Sequence, residues 1–151
     1  MIELYRQLPE WMGPRLRSLF VHIADNKVPM IVHCAAGKDR TGIAIALLLA
    51  ALDVPQETIV RDYLLTNDAT NFEQFIVTRQ ASQLGLATTN HPLLTLDVDV
   101  RRVLFSAHSD FLAGAFAAIR ERDGGVNDYL ARHGVDDTTR RRAAESLLDK
   151  A

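Results

Sequence analysis

The stretch Val32-His33-Cys34-Ala35-Ala36-Gly37-Lys38-Asp39-Arg40-Thr41-Gly42 decides how the chain is read. An apolar run, Val28 to Val32, precedes it, broken by Pro29. Ile43 to Leu52 follows and reads as a buried helix. The order is strand, tight loop, helix. A loop that opens a helix gathers backbone N–H groups that no carbonyl of the helix satisfies. Those groups and the helix dipole favour an anion at that point. Gly37 lets the backbone turn there and approach a ligand closely. Arg40 adds a planar fork of donors that fits two phosphate oxygens at once.

Cys34 stands at the mouth of this anion site. A free cysteine titrates near about 8.5, and helix N-termini and nearby cations lower that value. The features that hold phosphate therefore also favour the thiolate. A thiolate beside a bound phosphate is a nucleophile aimed at phosphorus. The implied chemistry is phosphoryl transfer to sulfur, then hydrolysis by water. Arg40 and the backbone amides supply the neutralising charge, so the reading calls for no metal and no cofactor.

The ten residues His33 to Gly42 resemble the signature of the cysteine-dependent tyrosine phosphatase superfamily, His-Cys, five residues and Arg. Six positions agree with it: His33, Cys34, Gly37, Arg40, Thr41 and Gly42. The Gly-Lys-Asp-Arg-Thr-Gly ending looks most like the bacterial and fungal tyrosine phosphatase group, which includes mycobacterial and listerial phosphatases of phosphotyrosine and phosphoinositides. The resemblance implies Cys34 as nucleophile and Arg40 as phosphoryl clamp. It implies Thr41 as a hydrogen-bond donor to the thiolate and Asp39 as a candidate acid. His33, Ala35, Ala36, Gly37, Lys38 and Gly42 become the substrate-binding loop, with His33 orienting it and Lys38 placing positive charge at its rim. A lysine at this place goes with phosphoinositide substrates in the family. The implied substrate is a phosphorylated protein or a phosphoinositide. The alternative is a phosphate-binding module that is catalytically incomplete.

The family places its signature after several strands, whereas Cys34 lies near the start of these 151 residues. The resemblance therefore implies an α/β, tyrosine phosphatase-like fold seen as a helix-rich C-terminal portion. In that reading residues 1–151 form one domain that keeps the strand–loop–helix unit, lacks most of the sheet, and has the N-terminal half as a missing partner. One strand does not make a sheet, so an exposed strand edge is expected.

Composition bounds the rest. The formal charge of −2 leaves no basic footprint for nucleic acid, and an apolar share of 48% suffices for a core. One cysteine excludes an internal disulfide framework. No run of about 18 apolar residues offers a stable membrane insertion. The compartment is left open.

Outward from the motif, Pro9 and Pro14 bracket Trp11 as a hinge, with Trp11 assigned to the core. Leu16, Leu19, Phe20, Ile23 and Ala24 predict a helix to about Asn26. Pro55 opens a helix to about Thr66, on which Asp62 is a candidate to hold Arg40 or another loop residue. Asp68 caps a third helix carrying Phe72, Phe75, Ile76 and Arg79. Leu86 to Asp99 reads as a loop around His91-Pro92. Asp97 and Asp99 are expected as caps, and Ser109-Asp110 as a new helix start. Gly124 and Gly134 read as helix ends, and Asp136 and Asp137 as caps of the last helix.

Overall fold

The computed structural model describes residues 1–69, 71–75, 78 and 92–148. Helix α1 spans Ile2–Ala24. Its stripe Tyr5, Leu8, Met12, Leu16, Phe20 and Ile23 is buried, at the three- and four-residue spacing of one helix face. The expected hinge is not there: α1 runs unbroken through Pro9 and Pro14. The Pro9 carbonyl accepts the buried Tyr129 hydroxyl at 2.6 Å, which anchors the helix where prolines thin its own bonds. Trp11 lies off the stripe and is 57% exposed, so its assignment to the core is corrected.

The expected strand is also corrected. Among the described residues no strand forms, and the α/β class reduces there to a helical assembly. Residues 28–33 do keep a two-residue alternation. Val28, Met30 and Val32 pack on the core, while Ile31 is 90% exposed. The side chains follow a strand's pattern, but no neighbouring backbone completes a ladder.

Helix α2, Asp39–Ala51, buries Ile43, Ala44, Ala46 and Leu47 and packs on α1. Helix α3 is Gln56–Leu64, with Ile59 and Tyr63 buried. Helix α4 is Thr66–Ala69, so Asp68 lies inside a helix and does not cap one. Residues 72–75 are helical, with Phe72 buried. Ile76, Arg79, Leu86 and His91 fall outside the described residues. A single turn at Pro92–Leu94 leads to α5, Val98–Phe105. Asp97 caps α5 by accepting from the Asp99 amide at 2.8 Å. Asp99 instead pairs with Arg102.

Helix α6, Ser109–Asp123, begins with His108 as its cap and ends at Gly124, whose φ of 90° is the left-handed C-terminal turn. Helix α7 is Val126–Arg132 and α8 is Asp137–Leu148. Asp136 accepts from the Thr139 amide at 2.8 Å, as a cap should. Helices α6 and α8 flank α1, and Tyr5, Phe20, Leu47, Leu112, Tyr129 and Leu130 fill the space between the helices.

Candidate active site

The loop from Cys34 to Lys38 joins the extended segment to α2. Gly37 has φ of 71°, a left-handed conformation that a side chain would strain, and a Cβ there would meet nothing within 4 Å. The glycine is required by the turn, not by crowding. Asp39, Arg40 and Thr41 form the first turn of α2, so the free amides of the helix start and the Arg40 side chain belong to one short arc.

Burial pushes the Cys34 thiol up. The Thr41 hydroxyl and the backbone amides of Thr41, Ala36 and Gly37 outweigh it, and the thiol lies below its ordinary value. A thiol lowered in this way favours its thiolate form. Thr41 Oγ1 is buried and makes no hydrogen bond of good geometry, to the sulfur or to any other described atom, so it acts on Cys34 as a nearby hydroxyl dipole.

Cys34, His33, Arg40 and Thr41 line a cavity of about 300 Å³. Its other walls are Met12, Leu16 and Leu19 of α1, Val32, and Ala44 of α2. Arg15 of α1 completes the lining and was not anticipated from the sequence. It sits one turn beyond Trp11, on the side of α1 next to the buried stripe. The ionisable groups around the thiol are thus His33 and Arg40 from its own segment and Arg15 from α1, with Asp39 and Lys38 at the loop's end. His33 is exposed and makes no side-chain hydrogen bond among the described residues that would orient the loop.

Lys38 is not at a rim. It is 3% exposed, and its Nζ donates to Asp39 Oδ1 at 2.6 Å and to the Ser106 carbonyl at 3.3 Å. The expected rim charge is thereby corrected: the adjacent carboxylate and the carbonyl draw the ammonium inward, where a buried cation needs them. Asp39 Oδ1 also accepts the Tyr5 hydroxyl at 2.5 Å. Tyr5 OH lies 2.7 Å from Tyr63 OH. Burial first, then the bonds to Asp39 and Tyr63, raise the Tyr5 phenol far above its usual range. Burial likewise holds Tyr63, which is pushed up to about 12. Both phenols are neutral donors at any ordinary pH.

Gly42 makes room for this network. A Cβ on it would stand 2.7 Å from the Tyr63 ring. Asp62, the expected brace, is exposed, and the brace is its neighbour Tyr63. Asn67 braces from another side, donating to the Ala107 carbonyl at 3.0 Å and accepting from its amide at 2.7 Å. Arg101 pairs with Glu73 and Arg102 with Asp99, outside the Cys34 cavity.

The signature loop, the lowered thiol and the arginine in one cavity agree with the comparison to known sequences. The family model described as the tyrosine phosphatase family matches residues 1–149. The chain belongs to the tyrosine phosphatase family. It is 31% identical over 155 residues to the triple specificity protein phosphatase PtpB of Mycobacterium tuberculosis, covering 98% of this chain and 54% of that protein. A Cupriavidus necator sequence whose name assigns it to the tyrosine-protein phosphatases is 34% identical over 131 residues, 86% of this chain and 44% of that one. A tyrosine-protein phosphatase of Nostoc commune is 39% identical over 61 residues, 38% of this chain and 21% of that protein. The chain spans about half the length of the first two relatives. Among the described residues no helix is long and apolar enough to cross a membrane.

Proposed function

We propose that this chain carries the nucleophile and phosphate loop of a phosphomonoesterase acting on phosphotyrosine. The observation that carries the reading is the lowered Cys34 thiol in one cavity with Arg40. The thiolate attacks phosphorus and the P–O bond to the phenol breaks, with the departing phenolate taking its proton from solvent water. Arg40 and the loop amides hold the three remaining oxygens through this step. Water then attacks phosphorus, the S–P bond breaks, and Cys34 regains its thiolate as phosphate leaves.

The apolar walls of Met12, Leu16 and Leu19 suit a flat phenyl ring better than a polyol. With Lys38 turned inward, the lysine argument for a phosphoinositide loses its support from charge at the rim. Phosphoserine, phosphothreonine and phosphoinositide are the further substrates to assay. The extended segment 28–33, with Ile31 bare, is suited to take a further strand that completes the family's sheet.

A second reading, a phosphate-binding module without full catalysis, is favoured by one observation. The Asp39 carboxylate is engaged by Lys38 and Tyr5 and so is not poised to protonate a leaving group. Hydrolysis of p-nitrophenyl phosphate separates the two, because its leaving group needs little acid help. Turnover that is lost in Cys34→Ser supports the enzyme. Phosphate binding without turnover in the folded chain supports the module.

A further inference from the structure

A buried line of hydroxyls ending in an ion pair lies behind the phosphate loop. The Tyr5 hydroxyl donates to Asp39 Oδ1. Its only proton is then committed, so the 2.7 Å contact with Tyr63 has Tyr63 as donor. Lys38 Nζ reaches the same Asp39 oxygen and also the Ser106 carbonyl. Helices α1 and α3 and the link between α5 and α6 therefore converge on the first residue of α2.

The arrangement matters because Asp39 is a carboxylate next to a site built for a dianion. Left free, it would repel the phosphate and compete for Arg40, one residue away. Two donors on a single oxygen hold it inward, and Lys38 cancels its charge. An ion pair and two buried hydroxyls are an expensive way to fill space, since apolar groups of the same shape stabilise as well or better.

We propose that Tyr5 and Tyr63 are positioning residues of the phosphate loop: their hydroxyls, in series, hold the Asp39 carboxylate against Lys38 and away from Arg40 and Cys34. The proposal rests on the reading of Cys34 and Arg40 as the phosphate-handling pair. Asp39 in this arrangement is a guarded charge and not the general acid. The tyrosines touch no substrate and act through the aspartate.

The test uses the one cysteine of the chain. Alkylation of Cys34 by iodoacetamide is followed against pH in the folded 151-residue protein, with and without inorganic phosphate as protectant. Tyr5→Phe removes the donor, releases the carboxylate toward the loop, and moves the alkylation profile to higher pH. It also raises the phosphate needed for half-protection by about tenfold, the size of one hydrogen bond to a charged group. Adding Asp39→Asn to Tyr5→Phe removes the released charge and brings the profile back toward that of the parent.

Tyr129→Phe is the control. It deletes an equally buried hydroxyl, bonded to Pro9 and not to the loop, and lowers stability without moving the profile. Tyr63→Phe gives the same readout as Tyr5→Phe, more weakly, if the latter does not fold. A Tyr5→Phe protein that behaves like Tyr129→Phe, less stable but with Cys34 unmoved, overturns the proposal. So does a shift that Asp39→Asn does not reverse. Failure of the underlying reading shows elsewhere: the parent protein's cysteine would then titrate as an ordinary thiol and gain no protection from phosphate.

Discussion

The ring of Tyr63 lies flat where the side chain of Gly42 would begin, with a Cβ at that position 2.7 Å from two ring carbons. The second glycine of the signature is therefore a packing requirement. It lets α3 approach α2 closely enough for the Tyr63 hydroxyl to reach Tyr5.

Gly42→Ala tests this. The ring must shift or the helices must part, and overpacking of this kind costs about 1–3 kcal/mol. The expected result is a lower melting temperature together with a loss of phosphate protection at Cys34. A Gly42→Ala protein as stable as the parent would show that the ring has room to move.

Among the described residues, the Thr41 hydroxyl and the loop amides lower the Cys34 thiol. Thr41→Val keeps the shape and removes the proton. A thiol held below its ordinary value is thiolate across a wider pH range, so its reactivity persists as pH falls. In Thr41→Val the alkylation profile moves to higher pH, and hydrolysis of p-nitrophenyl phosphate falls by about 10- to 100-fold. An unmoved profile would assign the lowered thiol to the loop amides alone.

Arg15 enters the cavity from α1 and makes no ion pair or hydrogen bond among the described residues. Under the proposed function, a guanidinium without a partner in the Cys34 cavity would meet an acidic residue flanking a phosphotyrosine. Arg15→Ala should raise KM for an acidic phosphopeptide by about fivefold, the scale of an exposed charge pair, and leave kcat unchanged. Equal effects on acidic and neutral peptides would remove Arg15 from substrate recognition.

Glu10 ties α1 to the other end of the molecule. Its carboxylate accepts from Arg132 at 3.0 Å and from Arg122 at 2.5 Å. Hydrogen bonding from Arg132, with Arg122 adding to it, holds the carboxyl down at about 2. A carboxyl lowered on folding stabilises the folded state above its ordinary value, and that contribution fades as pH falls from there toward 2. The pair is half-exposed, so Glu10→Gln should cost less than about 1 kcal/mol at neutral pH. The difference from the parent should shrink on acidification in denaturant melts. A difference that grows at low pH would contradict the sign.

The anion loop was legible because its chemistry is local. Cys34, Gly37, Arg40 and Thr41 lie within eight positions, and the free amides follow from where a helix begins. Tyr5 and Tyr63 were not legible, because 58 positions separate two hydroxyls that meet only after α1 and α3 pack. Tyr5 did carry a signal, since it falls on the stripe with Leu8, Met12 and Leu16, and a polar end inside a core needs a partner. The same stripe would have placed Trp11 outside. Lys38 reads as a solvated lysine in any sequence, and only the Ser106 carbonyl and Asp39 show it buried. The strand at residues 28–33 has the right alternation, but a ladder needs a second backbone, and none of the described residues supplies one.

The central claim is that Cys34 attacks phosphorus. Acid quenching of the chain mixed with radiolabelled p-nitrophenyl phosphate, followed by mapping of the labelled peptide, tests it most directly. Label is expected on the peptide containing Cys34, absent in Cys34→Ser, and formed with release of one p-nitrophenol per labelled protein. Turnover that continues in Cys34→Ser, or label on any other residue, would contradict it.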